Sequence, residues 1–239
     1  MPKLVFVCWD PSDRPRAARG PLFLDTLAPQ LLKAGADQLS VLVADDGADV
    51  RSPNPFPLFE RRSIALVNVW SEADPEAFLA ILRAEGLDVA GYAVEASVYR
   101  DYGDNAHAAP RSWPDGERSP GVTAVTYMER PAHLSHDEWM RRWHGNMSPV
   151  SEGIQPRTRY VRNVVTAKLT PDAPDFAGIV EEAWPSPRHV TNPFLFYGAS
   201  NPWQLLVNIG RILAAVTAFL TLWRVRTVMM SEWFVRTDG

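Results

Sequence analysis

The residues of this chain best suited to chemistry gather between positions 127 and 160. His144 is the candidate general acid/base, because an imidazole with a reference pKa of about 6.5 exchanges protons near neutrality. Its place just past the edge of an apolar helical stripe would let it face a cavity between helix and sheet. The plainer alternative is a boundary histidine bonded to a backbone carbonyl. Tyr127 and Tyr160, on strands flanking that helix, could bring phenol hydroxyls to a substrate, or pack in the core with each hydroxyl tied to a neighbour. Trp139 and Met147 share the stripe with Met140 and Trp143 on an arc of about 100°, and would meet a ligand from the helix side. Arg141 and Arg142 point the other way, toward solvent.

Other reactive side chains make weaker sites. His133 and His136 straddle the capping residue Ser135, so they do not share a helix face as zinc ligands would, and no metal is expected. His189 lies in a proline-rich loop beside Asn192-Pro193-Phe194 and reads as exposed. Strand alternation puts Arg159 and Arg162 on opposite faces, so with Arg157 they read as charged rims and internal ion pairs rather than an anion site. Cys8 sits in an apolar strand as a buried, inert thiol. No Gly-x-Gly-x-x-Gly, P-loop, Gly-x-Ser-x-Gly, His-Glu-x-x-His or Cys-x-x-Cys occurs, which removes the usual support for nucleotide, dinucleotide and α/β-hydrolase functions.

Composition narrows the classes further. The chain has 239 residues, 24 Lys plus Arg against 28 Asp plus Glu, and 46% hydrophobic residues. That is one large domain or two small ones with a real core. A formal charge of -4 gives no electrostatic reason to bind nucleic acid. The 21 prolines argue against long uninterrupted helices. One cysteine forms no intrachain disulfide, and the apolar run Lys3 to Trp9 is shorter than a signal-peptide core, so a cytoplasmic protein is expected. Residues 212–223 are apolar but too short to span a membrane.

The elements that must position these residues come in two similar sets. Strands are expected at residues 4–9, 41–43, 64–70 and 89–99. Between them lie a helix carrying Leu24, Leu27, Leu31 and Leu32, ended by Gly35, and one opened by Asp74-Pro75 with Phe78, Leu79 and Leu82 on one face. Residues 51–59 hold too many prolines for anything but a loop. The order is β-α-β-β-α-β, the ferredoxin-like motif. After a linker at 105–120 the order recurs: strand 122–128, helix 135–150, strands 160–169 and 176–184, helix 203–222, strand 225–235. Ser135 and Glu138 have capping-box spacing, so the first of these helices should begin at His136. The expected division is an N-terminal half at 1–104 and a C-terminal half at 121–239. Residues 1–118 carry 12 basic and 18 acidic side chains, and residues 119–239 carry 12 and 10, giving net charges of -6 and +2. Each half would leave one sheet face bare. Two such faces in one chain cover each other as a closed α+β barrel. The nine tryptophans, Trp139, Trp143, Trp184 and Trp203 among them, are expected to line an aromatic interior.

The strand, the capped helix, its Trp143 to Ser148-Pro149 turn and the following Arg159-Tyr160-Val161-Arg162-Asn163 strand resemble the EthD-like family of dimeric α+β barrel proteins, best over residues 121–168. The resemblance implies a ferredoxin-like unit paired into a barrel, here within one internally duplicated chain, either as a monomeric barrel or a weak homodimer. It also implies a small apolar or aromatic ligand and, for an enzyme, cofactor-independent lyase, cyclase or monooxygenase chemistry. The alternatives are a non-catalytic binding or accessory protein and a haem-binding barrel. The family usually has a histidine four positions after the helix tryptophan, where this chain has Met147. That acid/base role is therefore not carried over, and His144, three residues earlier, is the residue placed to assume it.

Overall fold

Both faces of the first strand are buried, which is why its sequence is apolar almost throughout. In β1 (Lys3–Trp9), Leu4, Phe6 and Cys8 point to helices outside the sheet, while Val5 and Val7 point into a second core with Tyr92, Val125 and Met230. The second core is the inside of a barrel. The computed structural model describes residues 1–54 and 61–238. Its remaining strands are β2 (Gln38–Val43), β3 (Ala65–Trp70), β4 (Asp88–Arg100), β5 (Val122–Met128), β6 (Arg159–Lys168), β7 (Gly178–Trp184) and β8 (Arg226–Arg236).

These strands close into a barrel in the order β1-β3-β2-β8-β5-β7-β6-β4, and every neighbouring pair is antiparallel. The first four strands run β4-β1-β3-β2 across one side and the last four β8-β5-β7-β6 across the other, the same order in both. Two seams join the sides, β2 to β8 and β4 to β6. Closure leaves no open sheet edge.

Helices pack on the outside. Over one side lie α1 (residues 16–33) and α2 (Pro75–Ala84), over the other α3 (residues 136–152) and α6 (Pro202–Thr217), with two short helices, α4 (Pro187–Thr191) and α5 (Pro193–Phe196), in the stretch expected to be a proline-rich loop. Asp74 caps α2, Ser135 caps α3 by accepting from the Glu138 amide at 3.2 Å, and Asn201 caps α6. Each cap satisfies a backbone donor left open by the first helical turn.

Both α1 and α3 widen into a π-helical segment, Leu22–Leu27 and Trp143–Met147. In both, the widened segment gives way to α-helix whose second residue is proline, Pro29 and Pro149. Proline lacks the amide that would bond the preceding turn and its ring crowds the carbonyl four residues back, so the helix loosens there. In α3 the extra residue shifts the buried line. Trp139 and Trp143 are followed inward by Ser148 and Ser151, while Met147 is half-buried at the margin.

Other differences from sequence expectation are local. β2 begins earlier, at Gln38, and α6 stops at Thr217, leaving Phe219 and Leu220 buried beyond its end. Trp203 was expected inside but stands 75% exposed on α6. Residues 55–59 of the expected proline-rich loop lie outside the described residues.

Ionic groups fill one part of the barrel interior. Lys3 donates to Asn163 at 2.9 Å and to Glu181 at 3.0 Å. Asn68 donates to the other Glu181 oxygen at 3.2 Å, and Arg159 and Tyr102 donate to Glu232 at 3.1 and 3.0 Å. Burial opposes the charge on Glu181, yet Lys3 and Arg159 hold its carboxyl below the usual range. Burial pushes Glu232 up, against the pull of Arg159.

Candidate cavity between the C-terminal helices and the sheet

Strand alternation aims Ala124, Thr126 and Met128 of β5, Tyr160 of β6 and Val180, Glu182 and Trp184 of β7 away from the barrel interior, toward α3 and α6. There they line a cavity of about 270 Å³, closed by Trp143 and Met147 from α3 and by Ile212, Leu213, Val216 and Phe219 from α6 and its end. Gln155, Phe196 and Tyr197 complete part of the wall. The Trp143 ring reaches this place because β7 offers Gly178 beneath it: a Cβ there would meet the indole and the Met128 methyl at 2.9 Å.

The wall is apolar with a few polar groups. The Trp143 indole donates to the Tyr160 hydroxyl at 3.2 Å, and Ser148 lies 3.4 Å from the same oxygen. The Arg157 guanidinium stacks 4.0 Å from the Tyr160 ring centre and bonds to Glu182 and Ser151. Burial pushes the Tyr160 phenol up, although Arg157 opposes the shift. It is therefore a neutral hydrogen-bonding group at neutral pH. The Gln155 side-chain amide and the Tyr197 hydroxyl also line the cavity, and neither makes a side-chain hydrogen bond among the described residues. Neither is sealed from water among the described residues, so each can bond a ligand that enters.

Of the residues selected from sequence, Tyr160 and Met147 line this cavity together. Trp139 is fully buried behind it, 4.8 Å from Trp143 between ring centres. His144 stacks edge-on against Trp143 at 4.6 Å but does not line the cavity. Its Nε2 is buried without a partner among the described residues. Burial, then the nearby Arg162, lowers its pKa to about 4, so the ring is neutral at pH 7. Tyr127 points the opposite way, into the barrel. Its hydroxyl is 2.8 Å from that of Ser63, beside a separate cavity of about 210 Å³ that includes Trp9, Phe176 and Arg226. Alternation separates the two tyrosines because Tyr127 shares a face with Val125, and Tyr160 with Val164.

Sequence reasoning missed Gln155 and Tyr197. Gln155 follows the end of α3 and Tyr197 the end of α5, both irregular places where no periodicity operates. The available signal for this close packing was Gly178 at the start of a strand opposite two tryptophans. Arg159 and Arg162 do lie on opposite faces: Arg159 reaches Asp101 and Glu232, whereas Arg162 bonds Ser148 and Ser97. Cys8 is fully buried, and burial pushes its thiol far up. Among the described residues no cluster of His, Cys, Asp and Glu is arranged for a metal, and no helix is long and apolar enough to cross a membrane.

No protein-family model matches the chain, and no curated protein matches it significantly. Solved structures do. An anthrone oxidase-like protein matches with 11% identity and a TM-score of 0.53, covering 100% of this chain and 95% of its own. A mutant chlorite dismutase from Candidatus Nitrospira defluvii matches at 10% identity and a TM-score of 0.47, covering 98% and 92%. At such identities the likeness concerns architecture, and the eight-stranded antiparallel barrel flanked by helices is the fold of the dimeric α+β barrels.

Proposed function

We propose that the chain binds a small apolar or aromatic molecule bearing a hydroxyl or carbonyl group in the cavity between α3, α6 and the outer face of β5 to β8. The supporting observation is the combination of apolar walls with the Gln155 amide and Tyr197 hydroxyl, both unengaged among the described residues. Ligand sites are typically apolar with a few placed polar groups. A volume of about 270 Å³ lies just under the usual range of roughly 300 to 1,000 Å³, which suits two or three fused rings. The same volume does not fit haem.

Tyr160 orients the ligand as a neutral phenol, fixed by the Trp143 indole and Ser148. His144, neutral and behind Trp143, acts on the cavity through that ring's position. If the bound molecule is converted, the chain's own contribution is to exclude water, hold the ring system against Trp143 and hydrogen-bond its oxygen. Anthrones, which appear in the name of the protein of similar fold, belong to the aromatic class that fits this description.

Quenching of tryptophan fluorescence by 1-naphthol, a hydroxynaphthoquinone and an anthrone tests the reading, since Trp143 lines the site. Saturable binding is expected, weakened about fivefold by Gln155→Leu, the scale of one lost hydrogen bond of roughly 1 kcal/mol. No saturable binding by any of the three, or binding indifferent to both Gln155→Leu and Tyr160→Phe, would sink it.

A further inference from the structure

Helix α6 has sixteen residues, of which Arg211 is the single charged one. Its inner face buries Asn208, Ile212 and Ala215. Its outer face is apolar as well: Trp203, Leu206 and Val207 are 75, 64 and 41% exposed, and Leu213, which also borders the cavity, is 45% exposed. A helix apolar all round is ordinarily buried all round. Taking whole side chains at about 150 to 250 Å² each, these four expose on the order of 450 Å² of apolar surface, the size of the largest patch on a typical monomer, which is often functional.

We propose that this face is a self-association surface, on which a second copy of the chain packs its own α6 antiparallel about Gly210. Two observations select that occupant. The first is the fit of the face to itself. In an antiparallel pair centred on Gly210, Trp203 falls opposite Thr217, Leu206 opposite Ala214 and Val207 opposite Leu213. Two of these three pairings set a large side chain against a small one, and twofold symmetry makes each of them twice. The second is Gly210 itself. A mid-helix glycine costs about 1 kcal/mol against alanine, and within one chain a Cβ there would meet nothing within 4 Å. The single copy has no use for the missing side chain, whereas two backbones crossing there do.

The area agrees with a pair of this kind. Interfaces are roughly 56 to 65% apolar, so an interface built on about 450 Å² of apolar surface would bury roughly 750 Å² per copy. Stable interfaces bury about 800 Å² per partner. With one cation on α6, no polybasic membrane-binding face is built into it.

Sedimentation velocity of the full chain from 1 to 100 µM should show a dimer. Gly210→Leu, which meets no clash within one chain, should weaken the dimer at least 100-fold while leaving the melting temperature of the monomer unchanged or higher. Leu206→Glu should do the same. Neither residue lines the ligand cavity, so binding of 1-naphthol should survive in both. Because the natural cysteine Cys8 is fully buried, Gly210→Cys should give a disulfide-linked dimer on mild oxidation. A wild-type monomer at 100 µM, or a dimer that persists in both Gly210→Leu and Leu206→Glu, overturns the proposal. So does binding to phosphatidylcholine–phosphatidylglycerol vesicles abolished by the same two substitutions, which would give the face to a lipid surface.

Discussion

The ammonium of Lys3 and the carboxylate of Glu181 meet at 3.0 Å inside the barrel, across 178 positions of sequence. One is on the first strand and the other on the seventh, and both side chains are almost fully buried. Burial pulls the Lys3 pKa down while Glu181 pushes it back, so each charge depends on the other. The pair ties the two sides of the barrel together; without Lys3 the carboxyl keeps Arg159 at 3.9 Å and the Asn68 and Asn163 amides.

Lys3→Met is expected to destabilise the fold by about 1.5 to 3 kcal/mol, the scale of a lost hydrogen bond to a charged group, since Glu181 keeps Arg159. Replacing both, as Lys3→Met with Glu181→Gln, should restore part of the loss. Urea unfolding midpoints of the three proteins check this; a Lys3→Met midpoint equal to wild type would mean that water reaches the pair.

Trp143→Ala should cost roughly 3 to 5 kcal/mol, because the indole is buried against Gly178 and donates to Tyr160. Gly178→Ala should cost about 1 to 3 kcal/mol by overpacking the same contact. Combined with Trp143→Phe, Gly178→Ala should cost less than alone. Thermal melts decide the point, and additive losses in the double variant would show that the ring and the glycine do not share a contact.

His144 predicts a pH effect of definite sign. Its folded pKa is lowered to about 4, against about 6.5 unfolded, so below pH 6.5 the unfolded chain binds the proton first. Stability contributed by the neutral ring is whole above pH 6.5 and falls as the pH drops toward 4. His144→Gln should flatten this part of the stability curve while changing the melting temperature at pH 8 little. Parallel curves for the two proteins between pH 4 and 6.5 would show that the ring is hydrated.

Residues 1–104 expressed alone should be insoluble, or should become soluble on mixing with residues 105–239. In that piece β2 and β4 lose their partners β8 and β6, and Val5, Val7, Leu66 and Tyr92 lose the facing wall of their core. A stable, soluble, monomeric fragment by sedimentation would contradict the dependence of each side on the other.

Features that depend on near neighbours were legible in the sequence. The Ser135 cap and the start of α3 at His136 follow from one side chain bonding an amide three residues on. The element order and the opposite facing of Arg159 and Arg162 follow from strand period alone. What distant parts do to one another was not legible. Periodicity placed Met147 on the buried stripe, but the π-helical segment before Pro149 moved Ser148 into that line. Trp203 looked like core because hydrophobicity carries no sign for inward or outward, and on a helix apolar on both faces the sheet chose the other one. The cavity joins Gln155, Tyr160 and Tyr197 from three separate elements. Lys3 finds its carboxyl partner 178 positions away. Local backbone geometry and capping act over a few residues, so the sequence alone determines them, whereas burial and the pairing of charges belong to the closed barrel and exist only once it forms.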